Sequence, residues 1–269
     1  MQKKQIFRWI KIVLIVYAVI GTILYFIQDK LLFHPVAVKI TTPYAFKQAH
    51  KEVLIPLDET SSFHIVQFTI PDSVKKGVVL YFHGNKTNIS HYEKFAINFT
   101  RNNYEVWMID YPSYGKSTGI LSESIVYEEA LQLYQLARIQ FKPNQIIIYG
   151  KSMGTGIAAQ LASIRDCRHL ILETPYYGLA ALIKRYFWMY PVNNMMHFKL
   201  PTYQYLEKVT APLHIFHGTD DELIPYQQAL NLKKLFKPTD ELITIEKGKH
   251  NNLFDFAKAN EQLDRILQQ

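Results

Sequence analysis

The sequence GKSMG at residues 150–154 decides the fold of this 269-residue chain. It follows the apolar run IIIY at 146–149 and precedes the small-residue run TGIAA at 155–159. This order predicts a buried strand, a sharp turn that carries Ser152, and a helix that packs closely on a sheet. The glycines on both sides remove side chains that would clash with a strained serine backbone. We therefore expect Ser152 to be an exposed nucleophile on a strand-to-helix turn.

Apolar runs of strand length alternate with helical patterns along most of the chain. An antiparallel pair is expected first, at residues 52–57 and 63–70. Further strands are expected at residues 78–82, 105–110, 145–149, 169–172, 213–216 and 241–245, and helices at 90–102, 122–137, 226–236 and 252–267. Continuous apolar strands are typical of a parallel sheet covered on both faces. The sequence therefore predicts an α/β fold with a mostly parallel, doubly wound sheet.

Side chains with catalytic chemistry stand at the ends of these strands. They are His83, Asp110, Ser152, Glu173, Asp221 and His250. Because sites in such sheets lie beyond the carboxyl ends of the strands, we expect these side chains to meet at one edge.

A serine hydroxyl needs a base within hydrogen-bond reach and an acid that orients that base. His250 is the predicted base, since it lies in the loop GKHNN (248–252) between the last strand and the last helix. His197, His214 and His217 are weaker candidates, because two lie in or at a strand and one lies in a long connection described below.

The acid is expected in the loop HGTDDELIP at 217–225, so that the chain order is serine, acid, histidine. Asp221 is the predicted acid, because its spacing to Pro225 marks the usual acidic position of this loop. Asp220 is the neighbouring alternative, and Glu173, at the end of another strand, is a third.

Acyl transfer also needs two donors for the oxyanion of the tetrahedral intermediate. One is expected to be the backbone N–H of Met153, at the start of the helix after the nucleophile. The other is expected to be the backbone N–H of Asn85, in a loop that Gly84 allows to turn tightly. His83 is expected to support this loop, and Asp110 to hold a neighbouring turn in shape.

Residues 1–29 are predicted to form a membrane anchor. Residues 12–27 carry no charge and rise about 24 Å as a helix, and Arg8 and Lys11 can extend to the interface of a ~30 Å core. A cleaved signal peptide is the alternative, but no small-residue cleavage site follows the run. Because basic residues precede it, the N-terminus is expected in the cytoplasm and the domain at 30–269 outside.

The membrane is expected to be a bacterial inner membrane. The sequons at Asn85 and Asn88 fall in the predicted oxyanion loop, where a glycan in a eukaryotic lumen would obstruct the site.

Residues 175–211 interrupt the alternation of strands and helices and are rich in large apolar side chains. They fit either a crossover helix packed on the sheet or a small cap whose aromatic side chains line an apolar acyl pocket. Both interpretations use the same residue types.

The composition argues against several classes of protein. Residues 1–30 hold five basic side chains against one acidic, and the remaining chain holds 25 against 22, so the net charge of +7 forms no nucleic-acid-binding stripe. The single cysteine, Cys167, excludes a disulfide framework within the chain. No cofactor or metal is expected, since the histidines lack ligand spacing.

Five motifs together resemble those of the α/β-hydrolase superfamily, and more narrowly its membrane-anchored, Bem46-like serine hydrolases. They are YFHGN (81–85), IDYPSYGKS (109–117), GKSMG (150–154), HGTDDELIP (217–225) and GKHNN (248–252). The resemblance covers nearly all of residues 30–269 and includes the short anchor. It implies a Ser-His-Asp hydrolase that acts on esters, thioesters or lipids. The sequence ETPYY (173–177) departs from the small polar residues expected after the fourth parallel strand.

The predicted function is that of a membrane-anchored serine hydrolase, a carboxylesterase, lipase or thioesterase, acting on an acyl or lipid-like ester through an acyl-enzyme. A peptidase or an acyltransferase on the same triad is one alternative, because acceptor choice depends on the shape of the pocket. A non-catalytic, membrane-tethered interaction module is another. The presence of serine, acid and histidine together argues against the module.

Overall fold

The computed structural model of the chain describes residues 2–269. Its strands are β1 (His34–Pro35), β2 (His50–Pro56), β3 (Ser62–Phe68), β4 (Gly77–Phe82), β5 (Lys86–Thr87), β6 (Tyr104–Asp110), β7 (Ile146–Lys151), β8 (His169–Glu173), β9 (Leu213–Gly218) and β10 (Glu241–Ile245). Its helices are α1 (Gln2–Leu32), α2 (Ile89–Tyr92), α3 (Ile97–Thr100), α4 (Glu123–Arg138), α5 (Gly154–Ala162), α6 (Leu179–Lys184), α7 (Val192–Met195), α8 (Thr202–Leu206), α9 (Gln227–Lys233) and α10 (Ala257–Gln268).

One eight-stranded sheet forms the centre of the fold, in the order β10-β9-β8-β7-β4-β6-β3-β2. The strands from β10 to β6 pair in parallel, and only β3 and β2 are antiparallel to their neighbours. The predicted mostly parallel, doubly wound sheet is thereby confirmed. The chain runs to one side of β4 through β6 and to the other side through β7, so the site is expected beyond the ends of these strands.

Apolar side chains cover both faces of the sheet. Along β4, Leu80 and Phe82 point into the layer that contains α4 and α5, whereas Val79 and Tyr81 point into the layer that contains α3 and α10. This alternation follows from the two-residue period of a strand. All four side chains are fully buried. The centre of the sheet is therefore a rigid support for the turns at its edge.

Two local predictions differ from the structure, and one short pair of strands was not predicted. The helix expected at 90–102 is broken into α2, a 3-10 turn at Glu93–Phe95, and α3. The last helix begins at Ala257, because a 3-10 turn at Leu253–Asp255 precedes it. The short parallel pair of β1 and β5 was not predicted, since two-residue strands carry no periodic signal.

Helix α1 continues well beyond the predicted apolar run. The segment Lys3–Leu32 is long and apolar enough to cross a membrane, and 6% of its most apolar window is buried. From Tyr17 onward the helix lies along residues 175–211, where the ring of Tyr17 stacks on that of Tyr190 at 4.5 Å between centroids.

Residues 175–211 combine the two predicted arrangements. Helix α8 packs against α5, as a helix covering the sheet would. Leu179, Leu182 and Ile183 of α6 line the pocket that contains Ser152. The segment therefore forms a short helical cap over this edge of the sheet, and it also contributes to the core.

Candidate active site

Ser152 occupies the sharp turn between β7 and α5. Its φ of +51° is in the left-handed region, which is strained for a residue with a side chain. The N–H of Ser152 donates to the carbonyl of Glu173 at 2.9 Å. A Cβ on Gly150 would lie 2.5 Å from the carbonyl oxygen of Gly154, and a Cβ on Gly154 would lie 2.1 Å from that of Phe82. The two glycines are thus required by close backbone approach.

The structure brings Ser152, His250 and Asp221 into a continuous hydrogen-bonded row. His250 Nε2 lies 3.0 Å from Ser152 Oγ, and His250 Nδ1 lies 2.8 Å from Asp221 Oδ2. Because a carboxylate only accepts, Nδ1 carries the proton, and Nε2 is free to accept the serine proton. The side chain of His250 is 11% exposed and that of Asp221 is fully buried. The row therefore has the arrangement of nucleophile, base and orienting acid.

The surroundings of Asp221 favour its charged form. Burial raises the pKa of this carboxyl, but the hydrogen bond and charge of His250 and the N–H of Ile224 hold the pKa below its usual range. Its Oδ1 accepts from the N–H groups of Leu223 and Ile224 at 2.9 and 2.8 Å. His217 lies 3.6 Å from Oδ2, and burial lowers the pKa of its imidazole. A neutral His217 supports the loop by donating to the Ile224 carbonyl at 2.8 Å.

The two alternative acids, Glu173 and Asp220, have partners other than His250. The carboxylate of Glu173 is buried and accepts from the ammonium of Lys151. The carboxylate of Asp220 accepts from its neighbour Thr219 at 3.0 Å. Of the three predicted acids, only Asp221 contacts His250 in the structure.

The candidate bases His197 and His214 contact carboxylates elsewhere in the structure. His197 Nδ1 lies 2.9 Å from Asp29 at the end of α1. His214 Nδ1 lies 2.7 Å from Glu241, on the neighbouring strand β10. Neither imidazole contacts Ser152, whose partner is His250.

The loop after β4 lies directly beside the nucleophile. A Cβ on Gly84 would lie 3.6 Å from the Cβ of Ser152. Asn85 is held on two sides, since its side chain donates to the carbonyl of Leu32 at 2.6 Å and its own carbonyl accepts from the hydroxyl of Tyr114 at 2.7 Å. Asn85 and Met153 line the same pocket as Ser152, which places both predicted donor residues around one space.

His83 and Asp110 support this loop from beneath. His83 Nδ1 donates to the carbonyl of Gly84 at 2.7 Å, and its Nε2 lies 3.5 Å from Asp110. Asp110 also accepts from the N–H of Ile89 at 2.8 Å. Burial raises the pKa of Asp110, but the nearby imidazoles of His64 and His83 and the N–H of Ile89 hold this pKa below the usual range. These contacts match the supporting roles that the sequence predicts.

Sequence reasoning missed Lys151. Its side chain is 2% exposed and pairs with Glu173, which also accepts from the hydroxyl of Tyr149. Lys151 Nζ lies 3.4 Å from the carbonyl of His250. The signal was present, because Lys151 is the only charged residue of the otherwise uncharged strand β7 and directly precedes Ser152.

The pocket around Ser152 has a volume of about 260 Å³. Its wall on the cap side is apolar and consists of Leu32, Phe33, Tyr176, Leu179, Leu182 and Ile183. In residues 2–269, no three His, Cys, Asp or Glu side chains are grouped in a way that could hold a metal ion. The pocket thus contains the groups that acyl transfer through a serine requires, with an apolar surface beside them.

The chain is similar in sequence to known proteins. The family model of serine aminopeptidase, S33, matches residues 73–204. Alpha/beta hydrolase domain-containing protein 17C is 30% identical over 195 residues in Xenopus tropicalis, covering 70% of this chain and 61% of that protein. The Xenopus laevis protein of the same name is 29% identical over 215 residues, covering 78% and 67%. The chain thus spans about three fifths to two thirds of the relatives that it matches.

Solved structures share the fold at low sequence identity. An esterase from Pyrococcus furiosus has a TM-score of 0.68 at 18% identity and covers 88% of this chain and 97% of its own. Est1E from Butyrivibrio proteoclasticus, bound to ferulic acid, has a TM-score of 0.65 at 18% identity and covers 80% and 98%. The sheet order, the serine turn and these likenesses lead to one conclusion: the chain belongs to the α/β-hydrolase superfamily.

Proposed function

We propose that the protein is a membrane-anchored serine hydrolase that cleaves carboxylic esters or thioesters of acyl or lipid-like substrates. The observation that carries the proposal is the position of His250, 3.0 Å from Ser152 Oγ and 2.8 Å from Asp221. A serine that contacts a buried, carboxylate-oriented imidazole is an activated nucleophile.

The reaction follows from these contacts. Ser152 Oγ attacks the acyl carbon while His250 Nε2 takes the hydroxyl proton, and Asp221 stabilises the imidazolium that forms. The N–H groups of Met153 and Asn85 bind the oxyanion. His250 then gives the proton to the leaving alcohol or thiol as the bond to it breaks. Water repeats the sequence on the acyl-enzyme, releasing the carboxylic acid and restoring Ser152.

A peptidase is the second candidate, because the matching family model describes a serine aminopeptidase. An aminopeptidase must bind a protonated amino terminus, for which a carboxylate is the natural partner. Among the described residues, the side chains that line the catalytic pocket include Lys86 and Lys151 but no Asp or Glu. This lining favours an ester or thioester over a peptide with a free amino terminus.

The proposed location follows from α1 and its flanking charges. The N-terminus lies in the cytoplasm and residues 30–269 lie outside a bacterial inner membrane, because Lys3, Lys4, Arg8 and Lys11 precede the uncharged run. A C-terminal alkaline phosphatase fusion is expected to be active in intact cells. A fusion reporter that is active only in the cytoplasm would refute this orientation.

The nucleophile is tested by a fluorophosphonate probe on the full chain in detergent. Labelling is expected in the native protein and absent in Ser152→Ala, whereas Ser163→Ala, on the far end of α5, keeps it. Ester hydrolysis in Ser152→Ala is expected to fall by about 10⁴- to 10⁶-fold. Persistent labelling of Ser152→Ala would overturn the assignment of the nucleophile.

The bond type is tested separately. Hydrolysis of p-nitrophenyl butyrate is compared with that of amino-acid p-nitroanilides at equal concentration. We expect the ester to be the better substrate by kcat/KM by at least tenfold. A faster reaction with the anilides would make the peptidase the correct function.

A further inference from the structure

A second cavity lies next to the catalytic pocket, between the second half of α1 and the cap. Its volume is about 210 Å³. Leu24 and Leu31 of α1 form one wall, and Phe187 and Met195 of the cap form the other. We call this space the anchor cavity. Its lining differs from that of the catalytic pocket in being almost entirely apolar.

The anchor cavity and the catalytic pocket adjoin each other. Leu32 at the end of α1 and Ile183 at the end of α6 line both spaces. Ser152 opens into the catalytic pocket on the other side of these two residues. Leu32 and Ile183 therefore belong to a wall that the two spaces share, and a linear group attached to the acyl carbon at Ser152 would reach the anchor cavity by passing between them.

Two of the polar side chains at the anchor cavity, Gln28 and Tyr190, already have partners. Gln28 donates to the carbonyls of Tyr25 and Met195 at 2.8 and 3.0 Å, and it accepts from the N–H of His197 at 2.9 Å. The hydroxyl of Tyr190 donates to the carbonyl of Tyr17 at 3.0 Å. Water is held in a cavity by unsatisfied polar groups, whereas an apolar cavity accepts hydrocarbon. The lining thus suits a hydrocarbon chain.

The wall formed by α1 is fixed by specific contacts. Besides the stacked pair of Tyr17 and Tyr190, His197 Nδ1 lies 2.9 Å from Asp29. A Cβ on Gly21 would lie 2.8 Å from the ring of Tyr190, so the glycine is what allows this ring to reach the helix. A wall held at three levels of the helix is part of the folded protein.

The cap residues on either side of Phe187, which lines the anchor cavity, are apolar and exposed. Tyr186, Phe187, Trp188 and Met189 are 59%, 38%, 74% and 54% exposed. The carbonyl of Met189 accepts from the hydroxyl of Tyr17, which lies within the uncharged run of α1, at 2.7 Å. These cap residues lie beside α1 and therefore close to the membrane that α1 would span, and aromatic side chains are favoured at membrane–water interfaces. A chain in the bilayer then has an apolar path to the cavity.

We propose that the anchor cavity holds the acyl chain of the substrate, so that α1 is part of the substrate site. The substrate class is a medium- or long-chain acyl ester or thioester, with its carbonyl at Ser152 and its chain between α1 and the cap. This inference rests on the proposed serine hydrolase function. At roughly 30 Å³ for each water-sized group, 210 Å³ holds about seven methylene-sized groups, and a longer chain extends toward the bilayer.

The test fills the cavity and measures chain-length preference. Leu24→Trp and Met195→Trp are made in the full chain, with Leu14→Trp as the control, because Leu14 is 60% exposed on α1 and outside the cavity. The kcat/KM for p-nitrophenyl dodecanoate is expected to fall at least tenfold in both cavity variants. The value for p-nitrophenyl butyrate is expected to change less than twofold, and the control should match the native protein for both esters. Unchanged dodecanoate hydrolysis, or equal losses for the two esters, would overturn the proposal.

A second measurement does not depend on catalysis. A twelve-carbon fatty acid with a terminal diazirine is crosslinked to Ser152→Ala in detergent, and the labelled peptides are identified by mass spectrometry. Labels on residues 24–32 of α1 or on 183–196 of the cap support the anchor cavity, and their loss in Leu24→Trp strengthens the result. Labels elsewhere, or none, contradict it. The fluorophosphonate experiment reports separately on the hydrolase function, so the two failures are distinguishable.

Discussion

The ion pair beneath the nucleophile provides a demanding test of the site. The side chains of Lys151 and Glu173 are 2% and 1% exposed, and they lie on the adjacent strands β7 and β8. Glu173 also accepts from the hydroxyl of Tyr149, and Lys151 Nζ lies 3.4 Å from the carbonyl of His250. The variant Glu173→Gln keeps the shape of the side chain and removes its charge. The ammonium of Lys151 is then left buried without a counter-charge.

The expected loss of stability follows from that unpaired charge. Removing one partner of a buried ion pair destabilises a protein by about 3–5 kcal/mol. At about 2–4 °C per kcal/mol for a domain of this size, Tm is expected to fall by about 6–20 °C. The double variant Lys151→Met/Glu173→Gln is expected to recover most of the loss, because no unpaired charge remains.

Thermal unfolding in detergent, followed by circular dichroism, gives the Tm of each protein in the double-mutant cycle. The four proteins are the native chain, Glu173→Gln, Lys151→Met and the double variant. Fluorophosphonate labelling rates are measured on the same samples below the lowest Tm. A Tm of Glu173→Gln within about 2 °C of the native value would refute the unpaired-charge argument. Loss of activity at unchanged stability would instead identify Glu173 as the catalytic acid, against the geometry around Asp221.

Three further predictions concern the turn, the acid and a buried carboxyl. Asp221→Asn is expected to lower kcat for a short-chain ester by about 10⁴-fold with little change in KM, since an amide favours the wrong tautomer of the histidine; a loss below tenfold contradicts this role. Gly154→Ala is expected to prevent folding, because its Cβ would lie 2.1 Å from a carbonyl oxygen, whereas Gly178→Ala meets nothing closer than 3.6 Å and should give a normal yield of monodisperse protein. Burial raises the pKa of Glu129 to about 8, so its contribution to stability is full below its unfolded pKa near 4.3 and is lost as the pH rises through about 8. The free energy of unfolding of Glu129→Gln minus that of the native protein, measured in urea, should therefore be larger at pH 9 than at pH 5 by at least about 1.4 kcal/mol. An equal difference at both pH values would contradict this prediction.

The grouping of reactive side chains at one edge of the sheet could be predicted from the sequence for a physical reason. Parallel strands end at the same edge, so reactive side chains that follow separate apolar runs are brought together by the fold itself. Ser152, Asp221 and His250 follow three different strands, and the structure places them within hydrogen-bond distance. Their catalytic roles stay a prediction until the variants are measured.

Other features depended on contacts that no local pattern contains. Asp220 and Asp221 are adjacent carboxylates at the end of β9, and only the backbone path of the loop decides which one contacts His250. The pairing of Lys151 with Glu173 depends on the register of β7 against β8. Periodicity predicts that a strand is buried, but it does not give the register between strands.

Helix α1 has two proposed functions, as a membrane anchor and as a wall of the anchor cavity. The uncharged run at 12–27 has the composition of a lipid-facing helix, yet Gly21 is buried against Tyr190, which lies 169 residues later. A small residue at such a contact lets helix and neighbour approach closely. Removing residues 1–29 would therefore remove the proposed membrane anchor and also delete Leu24 from the anchor cavity. Loss of long-chain hydrolysis in a truncated chain alone would not show that a bilayer is needed. Leu24→Trp in the full chain separates the two effects, because it fills the cavity and keeps the helix.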